Sequence, residues 1–146
     1  MDNRVLSGES LFLLYAHPCT ARKQRKGLIG QEDAQELGMF VKEGRSPSRE
    51  LLQRCFPEAY RSFVQFAEIG HPERDWPVEV VRNFWRQHKG GCLSCAVMCG
   101  KVEMVMDMNV RVRCPDKTVI ALNPYGLPVE IGNIVYFHLR VIAEVE

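Results

Sequence analysis

The spacing of hydrophobic residues in this 146-residue chain changes once, at Gly90-Gly91, and that change restricts the folds it can adopt. Before the two glycines, apolar side chains recur every three or four residues, which is the period of a helix. Beyond Gly100 they alternate with polar side chains, which is the period of a strand. The pattern predicts an α+β protein, with an all-helical domain at residues 1–90 and a small OB-like β-barrel domain at residues 91–146.

Five helical segments are predicted in the first half from apolar spacing and from residues that begin or end helices. Gly44 ends one segment, and Ser46 followed by Pro47 begins the next as a cap and a first helical residue. The segments cover residues 11–15, 31–42, 47–55, 57–67 and 77–87. Trp76 and Trp85 are expected to serve core or interdomain packing rather than a cofactor site. The basic residues near position 24 are interpreted as a solvated loop rather than a phosphate-binding patch: Arg22, Lys23, Arg25 and Lys26.

Short strands are predicted throughout the second half, separated by turns at residues 115–117 and 123–126. They cover residues 102–107, 110–114, 118–122, 128–131, 134–139 and 141–145. Five or six short strands without an intervening helix are typical of a small closed barrel of the OB or SH3-like kind.

Charge and composition make several functional classes unlikely candidates for this chain. The net charge of +1 lacks the basic excess of nucleic-acid-binding proteins. The barrel half offers few aromatic side chains for stacking bases, namely Tyr125, Tyr136 and Phe137, although an OB-fold nucleic-acid binder stays an open alternative. The chain contains no phosphate loop, nucleophile elbow or recognisable carboxylate pair, so an enzyme is not expected, with thiol-redox activity through Cys92 and Cys95 left open.

The first residues give no indication of export. Residues 1–10 are polar, and the apolar run at residues 11–16 is too short for a signal peptide or a membrane span. We therefore expect a cytoplasmic protein with no membrane partner. The six cysteines are reduced in that compartment, so clustered thiols suggest metal binding or redox chemistry rather than disulfides.

The densest chemistry in the sequence lies where the two halves join, in the spacing His88-x3-Cys92-x2-Cys95-x3-Cys99. A Cys-x2-Cys pair can bring two thiolates to one ion, and three cysteines with a histidine complete a tetrahedral zinc site. The three cysteines with His88, or with Cys114-Pro115, are also a ligand set for an iron–sulfur cluster. The remaining alternative is that some of these thiols are small buried hydrophobic residues.

Two segments of the second half resemble the HypC/HupF hydrogenase maturation chaperones. Residues 95–102, Cys-Ala-Val-Met-Cys-Gly-Lys-Val, are similar to that family's opening of Cys, three apolar residues, Pro and Gly-Lys-Val, with Cys99 standing where the proline would be. Residues 128–138 are similar to its closing segment, in which a Gly-Asp turn leads a strand ending in Val-His, and Gly132 and His138 keep that separation. The family's cysteine follows the initiator methionine, whereas Cys95 is internal.

The resemblance implies an OB-type barrel that carries iron with diatomic ligands. It also implies protein partners, namely a maturation scaffold and the large subunit of a nickel–iron hydrogenase, to which the iron is passed. The family's functional cysteine and histidine correspond to Cys95 and His138. A thiolate and an imidazole are suitable donors for such an iron, and the additional ligands His88, Cys92 and Cys99 would permit a closed zinc or iron–sulfur site instead.

Overall fold

The computed structural model describes residues 7–70, 76–87 and 97–146. The chain divides into two compact units between Trp85 and Arg86. The first unit consists of helices and the second contains a closed five-stranded barrel, so the predicted α+β architecture with helices first is confirmed. No helix within the described ranges is both long and apolar enough to cross a membrane.

Six α-helices and one 3-10 turn make up the described helical part of the chain. The helices are α1 (Gly8–Ala16), α2 (Thr20–Arg25), α3 (Gln31–Glu43), α4 (Arg49–Cys55), α5 (Pro57–Gly70) and α6 (Val78–Gln87), and the 3-10 turn His17–Cys19 joins α1 to α2. Gly44 ends α3 with φ of 67°, a left-handed conformation that glycine adopts without steric cost, as predicted.

The helical unit is built around α1, whose residues from Leu11 to Ala16 are all buried. A helix that is apolar on every side belongs in the centre of a domain. The Phe12 ring packs 5.3 Å from both Trp76 and Trp85, measured between ring centroids, and Phe63 lies 4.5 Å from Trp76. Both tryptophans therefore serve core packing, which confirms that prediction.

Two helical details differ from the sequence predictions. The cap of α4 is Ser48, whose Oγ accepts a hydrogen bond from the Leu51 amide at 3.1 Å, so Ser46 does not cap this helix. Ser46 instead accepts a hydrogen bond from the Ser7 hydroxyl at 2.8 Å.

The basic residues near position 24 belong largely to α2 rather than to a loop, because the 3-10 turn continues directly into that helix. Their positive charges lie in the last turn of α2, where the helix dipole favours them.

The barrel contains five strands in the cyclic order β1-β2-β3-β5-β4. The strands are β1 (Val97–Met106), β2 (Asn109–Arg113), β3 (Thr118–Leu122), β4 (Ile134–His138) and β5 (Val141–Val145). All neighbours are antiparallel except β3 and β5, which are parallel. The interior is filled by alternating side chains from every strand: Val102, Val110, Val112, Cys114, Val119, Ala121, Val135, Phe137 and Ile142.

Strand β1 pairs with two neighbours in succession, and the barrel is closed by this strand together with the β3–β5 contact. Its first half, from Val97 to Lys101, pairs with β4, and its second half, from Lys101 to Met106, pairs with β2. Gly100 lies buried at this change of partner, where a Cβ atom would be 2.5 Å from Cγ1 of Val112 and 2.6 Å from the Arg113 carbonyl oxygen. Only glycine permits so close an approach of β1 to β2.

The prediction of a strand at residues 128–131 is wrong, and β1 begins earlier than the predicted residue 102. Between β3 and β4, asparagine side chains accept hydrogen bonds from backbone amides that would pair with a neighbouring strand if this segment belonged to the sheet. Asn123 accepts from the Leu127 amide at 3.0 Å, and the Oδ1 atom of Asn133 accepts from the Glu130 amide at 2.7 Å. Local side-chain hydrogen bonds of this kind favour turns over strands.

We predict that Gly100→Ala destabilises the barrel by about 1–3 kcal/mol, because the added methyl group would overlap Val112 and the β2 backbone. Amide hydrogen exchange of barrel peptides, read by mass spectrometry, measures this loss. Gly38→Ala in α3 is the matched control, since nothing outside its own helix lies within 4 Å of that position and alanine favours helix. Equal exchange in the barrel of Gly100→Ala and of the unmodified chain would contradict the steric requirement.

Candidate functional site

Of the five candidate metal ligands, Cys99 and His138 lie within the described residues. His88, Cys92 and Cys95 lie outside them. Cys99 is in the first half of β1 and is exposed, whereas His138 is the last residue of β4 and is only 1% exposed. The strand register places these two residues on the same side of the barrel wall.

Side-chain alternation along β4 separates the barrel core from an outer face. Val135 and Phe137 belong to the core, so Tyr136 and His138 lie on the opposite side of the strand. Across the ladder, Cys99 is the register partner of Tyr136, and Val97 is the register partner of His138. Cys99 and His138 are therefore diagonal neighbours, a relation in which residues of adjacent strands are typically about 7–8 Å apart.

Strand β5 extends this surface on the other side of β4. Glu144 is the register partner of Tyr136, and Val141 is the partner of His138. We name the surface the β1–β4–β5 face, and its residues are Val97, Cys99, Tyr136, His138, Val141 and Glu144.

An arginine covers the middle of the β1–β4–β5 face. Arg86 belongs to the same compact unit as the barrel, and its guanidinium lies 3.5 Å from the centroid of the Tyr136 ring. The same guanidinium lies 3.5 Å from the Glu144 carboxylate, whose side chain is only 10% exposed. A cation held between an aromatic ring and a largely buried carboxylate is strongly oriented, which favours one arrangement of Tyr136.

The Tyr136 hydroxyl is held in its neutral form. It donates a hydrogen bond to the Glu146 carboxylate at 3.0 Å. Burial raises the pKa of this phenol, and the hydrogen bond to Glu146 raises the pKa further, although Arg86 opposes both effects. Tyr136 therefore acts as a hydrogen-bond donor and a packing surface, and proton transfer by it at neutral pH is disfavoured.

The hairpin that follows His138 has an uncommon backbone. Leu139 and Arg140 form its two central residues with φ of 52° and 64°. Two-residue hairpin turns with positive φ at both positions normally contain Asn-Gly, because other residues strain there. The Arg140 carbonyl accepts a hydrogen bond from the Leu122 amide at 2.6 Å, and this bond to β3 holds the turn in place beside His138. Strain of this kind often accompanies functional positions.

Cys114 and the nearby Cys99 differ in burial. Cys114 is a buried member of the barrel core, whereas Cys99 lies on the outside of the barrel wall. Burial raises the pKa of Cys114, and the neighbouring Cys99 raises the pKa further. The Cys114 thiol faces the apolar interior, and its pairing with the cysteine cluster as iron–sulfur ligands stays a prediction because Cys92 and Cys95 lie outside the described residues.

Within residues 7–70, 76–87 and 97–146, no group of three or more His, Cys, Asp or Glu side chains is arranged to hold a metal ion. Comparison with family models, curated proteins and solved structures finds no match to this chain. The interpretation of Cys99 and His138 therefore depends on their own chemistry and geometry.

Sequence reasoning missed Arg86, Tyr136 and Glu144 as parts of the face that contains His138. Tyr136 had a usable signal, because the alternation of residues 134–138 already places it on the same side of the strand as His138. Arg86 and Glu144 had no such sequence signal, because their contact depends on the register of β4 with β5, which places Glu144 beside Tyr136.

We predict that replacing Leu139 and Arg140 together by Asn and Gly raises the unfolding free energy of the barrel by about 1–2 kcal/mol, because both residues then adopt positive φ readily. Amide exchange across β4 and β5 measures the gain. Leu139→Ala is the control, since it keeps a residue that is strained at this φ and should give no stabilisation. A less stable barrel in the Asn-Gly variant would show that the turn is not strained.

We also predict that iodoacetamide modifies Cys99 at least about tenfold faster than Cys114 at neutral pH, because Cys99 is exposed while burial keeps Cys114 a protonated thiol. Peptide mass spectrometry gives the rate at each cysteine separately. In denaturant the two rates should become similar. Comparable rates in the folded chain would contradict the inward position of Cys114.

Proposed function

We propose that the barrel is an OB-type domain that carries iron between protein partners, as the HypC/HupF maturation chaperones do, with Cys95 and His138 as its protein ligands. On this proposal the chain is a cytoplasmic accessory protein rather than an enzyme. Its partners are a maturation scaffold and a hydrogenase large subunit, and the iron is its cargo.

The fold supports this proposal in two respects. A five-stranded closed barrel in which β3 neighbours β5 rather than β4 has the non-sequential strand order of a Greek-key barrel such as the OB fold. Gly100, the glycine of the Gly-Lys-Val motif, occupies the position where β1 passes from β4 to β2 and where a side chain does not fit. The first motif of the resemblance thus coincides with a requirement of barrel closure.

The observation that carries the proposal is the register between the two motif segments. His138 pairs with Val97, and Cys95 precedes Val97 by two residues in the sequence. The described part of the first motif segment, from Val97 onward, therefore pairs with the strand that ends at His138, although the two motifs are more than forty positions apart in the chain. On this proposal, Cys95 and His138 would together supply the two protein ligands of a carrier site.

The chemistry of the two residues suits an iron that must later leave. A thiolate and a neutral imidazole bind iron through a soft and a borderline donor, and two protein ligands leave the remaining positions for small ligands and for a thiol of the receiving protein. The His138 ring lies in a buried position, which restricts water at that side.

A structural zinc or iron–sulfur site formed by His88, Cys92, Cys95 and Cys99 is the second candidate. One observation favours it, namely that the Cys99 thiol is exposed on the outside of the barrel wall and not buried in the core. In this alternative Cys99 is an essential ligand, whereas in the carrier it is dispensable. The two candidates therefore make opposite predictions for one substitution.

We predict that Cys95→Ala and His138→Gln each reduce the iron bound by anaerobically purified protein at least about tenfold, whereas Cys99→Ser leaves it unchanged. Metal analysis gives the iron and zinc content of each variant, and amide exchange of the barrel confirms that His138→Gln remains folded. Loss of metal in Cys99→Ser would favour the structural site. Unchanged iron in both Cys95→Ala and His138→Gln would refute the carrier.

A further inference from the structure

Apolar side chains remain exposed on the second half of β1, in the β1–β2 turn and on β3. Their exposed fractions are 38% for Met104, 49% for Met106, 53% for Met108, 45% for Ile120 and 40% for Leu122. We name these five residues the methionine face. A concentration of large exposed apolar side chains on so small a domain indicates a surface that another molecule covers.

The strand register makes the methionine face continuous. Met104 pairs with Arg111, which pairs with Ile120 on the next strand. One row further, Met106 pairs with Asn109, which pairs with Leu122. Side chains in such rows lie on the same side of the sheet, so the apolar residues of β1 and β3 flank a polar strip on β2.

The charges beside this face indicate what would cover it. Lys101 and Arg113 are direct register partners in the row next to Met104, and both are exposed. Like charges placed opposite each other on adjacent strands are unfavourable unless an anion lies between them. Glu103 supplies one such anion, because its carboxylate lies 3.2 Å from Arg111 and 3.3 Å from Arg113.

Among the acidic side chains near the Lys101–Arg113 pair, Glu103 is bound by Arg111 and Arg113, and the others lie further away. Asp116 lies in the β2–β3 turn beside Lys117, so these two charges cancel, and Asp107 lies in the β1–β2 turn at the far end of the methionine face. Three cations, Lys101, Arg111 and Arg113, therefore share one carboxylate, that of Glu103, so this end of the face keeps an excess of positive charge beside the methionine and aliphatic side chains. This pattern complements an amphipathic segment with a carboxylate at one end.

We infer that the methionine face docks an amphipathic helix of a partner protein, with the helix's apolar side chains on the methionines and its carboxylates against Lys101 and Arg113. Methionine suits this role because its unbranched, polarisable side chain adapts to the shape of a bound helix. None of the five residues is aromatic, so the face offers no ring on which a nucleic-acid base could stack. The surface shares no residue with the proposed iron site, and the inference holds whether or not that site binds metal.

The test uses the full chain with ¹³C-labelled methionine methyl groups and a synthetic amphipathic helix that has leucines on one side and glutamates on the other. We expect the methyl signals of Met104, Met106 and Met108 to shift on titration. Met39, exposed on α3, and Met98, partly buried against the barrel core, are internal controls whose signals should not move. A peptide with lysine in place of glutamate should bind at least about tenfold more weakly.

Substitutions distinguish this docking from nonspecific hydrophobic adsorption. The double variant Lys101→Gln and Arg113→Gln should weaken binding roughly tenfold, and Met106→Ser roughly fivefold. The matched controls Lys26→Gln and Met39→Ser, which change an exposed lysine and an exposed methionine of the helical unit, should leave affinity unchanged. Equal binding of the acidic and basic peptides, equal shifts at Met39, or tighter binding to phosphatidylserine vesicles than to the peptide would overturn the inference.

Discussion

The change of partner along β1 is the constraint on which the barrel depends. One strand of ten residues pairs first with β4 and then with β2, and this double pairing, together with the β3–β5 contact, closes the sheet. Closure brings the backbones of β1 and β2 so close at Gly100 that no side chain fits between them. A closed sheet has no free edge, so the second unit is protected from pairing with other strands.

The same strand connects the two surfaces to which we assign functions. Its beginning lies beside His138 on the β1–β4–β5 face, and its end carries Met104 and Met106 on the methionine face. Nine residue steps separate Val97 from Met106, which is roughly 30 Å along an extended strand. A partner docked on the methionine face would therefore leave the proposed iron site accessible to a second protein.

The change from helical to strand spacing was enough to predict the two-part α+β architecture, the helix end at Gly44 and four of the five strands closely. Errors arose where local hydrogen bonds compete with periodic patterns. Ser46 and Ser48 are equally plausible caps in sequence, and the choice depends on the tertiary contact between Ser46 and Ser7. Residues 128–131 alternate like a strand, but Asn123 and Asn133 bind the neighbouring backbone in turns.

The candidate site was only partly accessible to sequence reasoning. Ligand spacing selected Cys99 and the family resemblance selected His138, and their common face follows from the β1–β4 register. The contact of Arg86 with Tyr136 and Glu144 joins residues far apart in the chain, and no local pattern encodes it. His88, Cys92 and Cys95 stay predictions, because they lie outside the described residues.

The most direct measurement for the central claim is an infrared spectrum of the full chain purified without oxygen, combined with metal analysis of the same sample. We predict iron together with absorption bands of bound cyanide and carbonyl, with a Cys95→Ala sample lacking both. Stoichiometric zinc, or iron with a cluster absorbance and no such bands, would contradict the carrier function and assign the cysteines to a structural site.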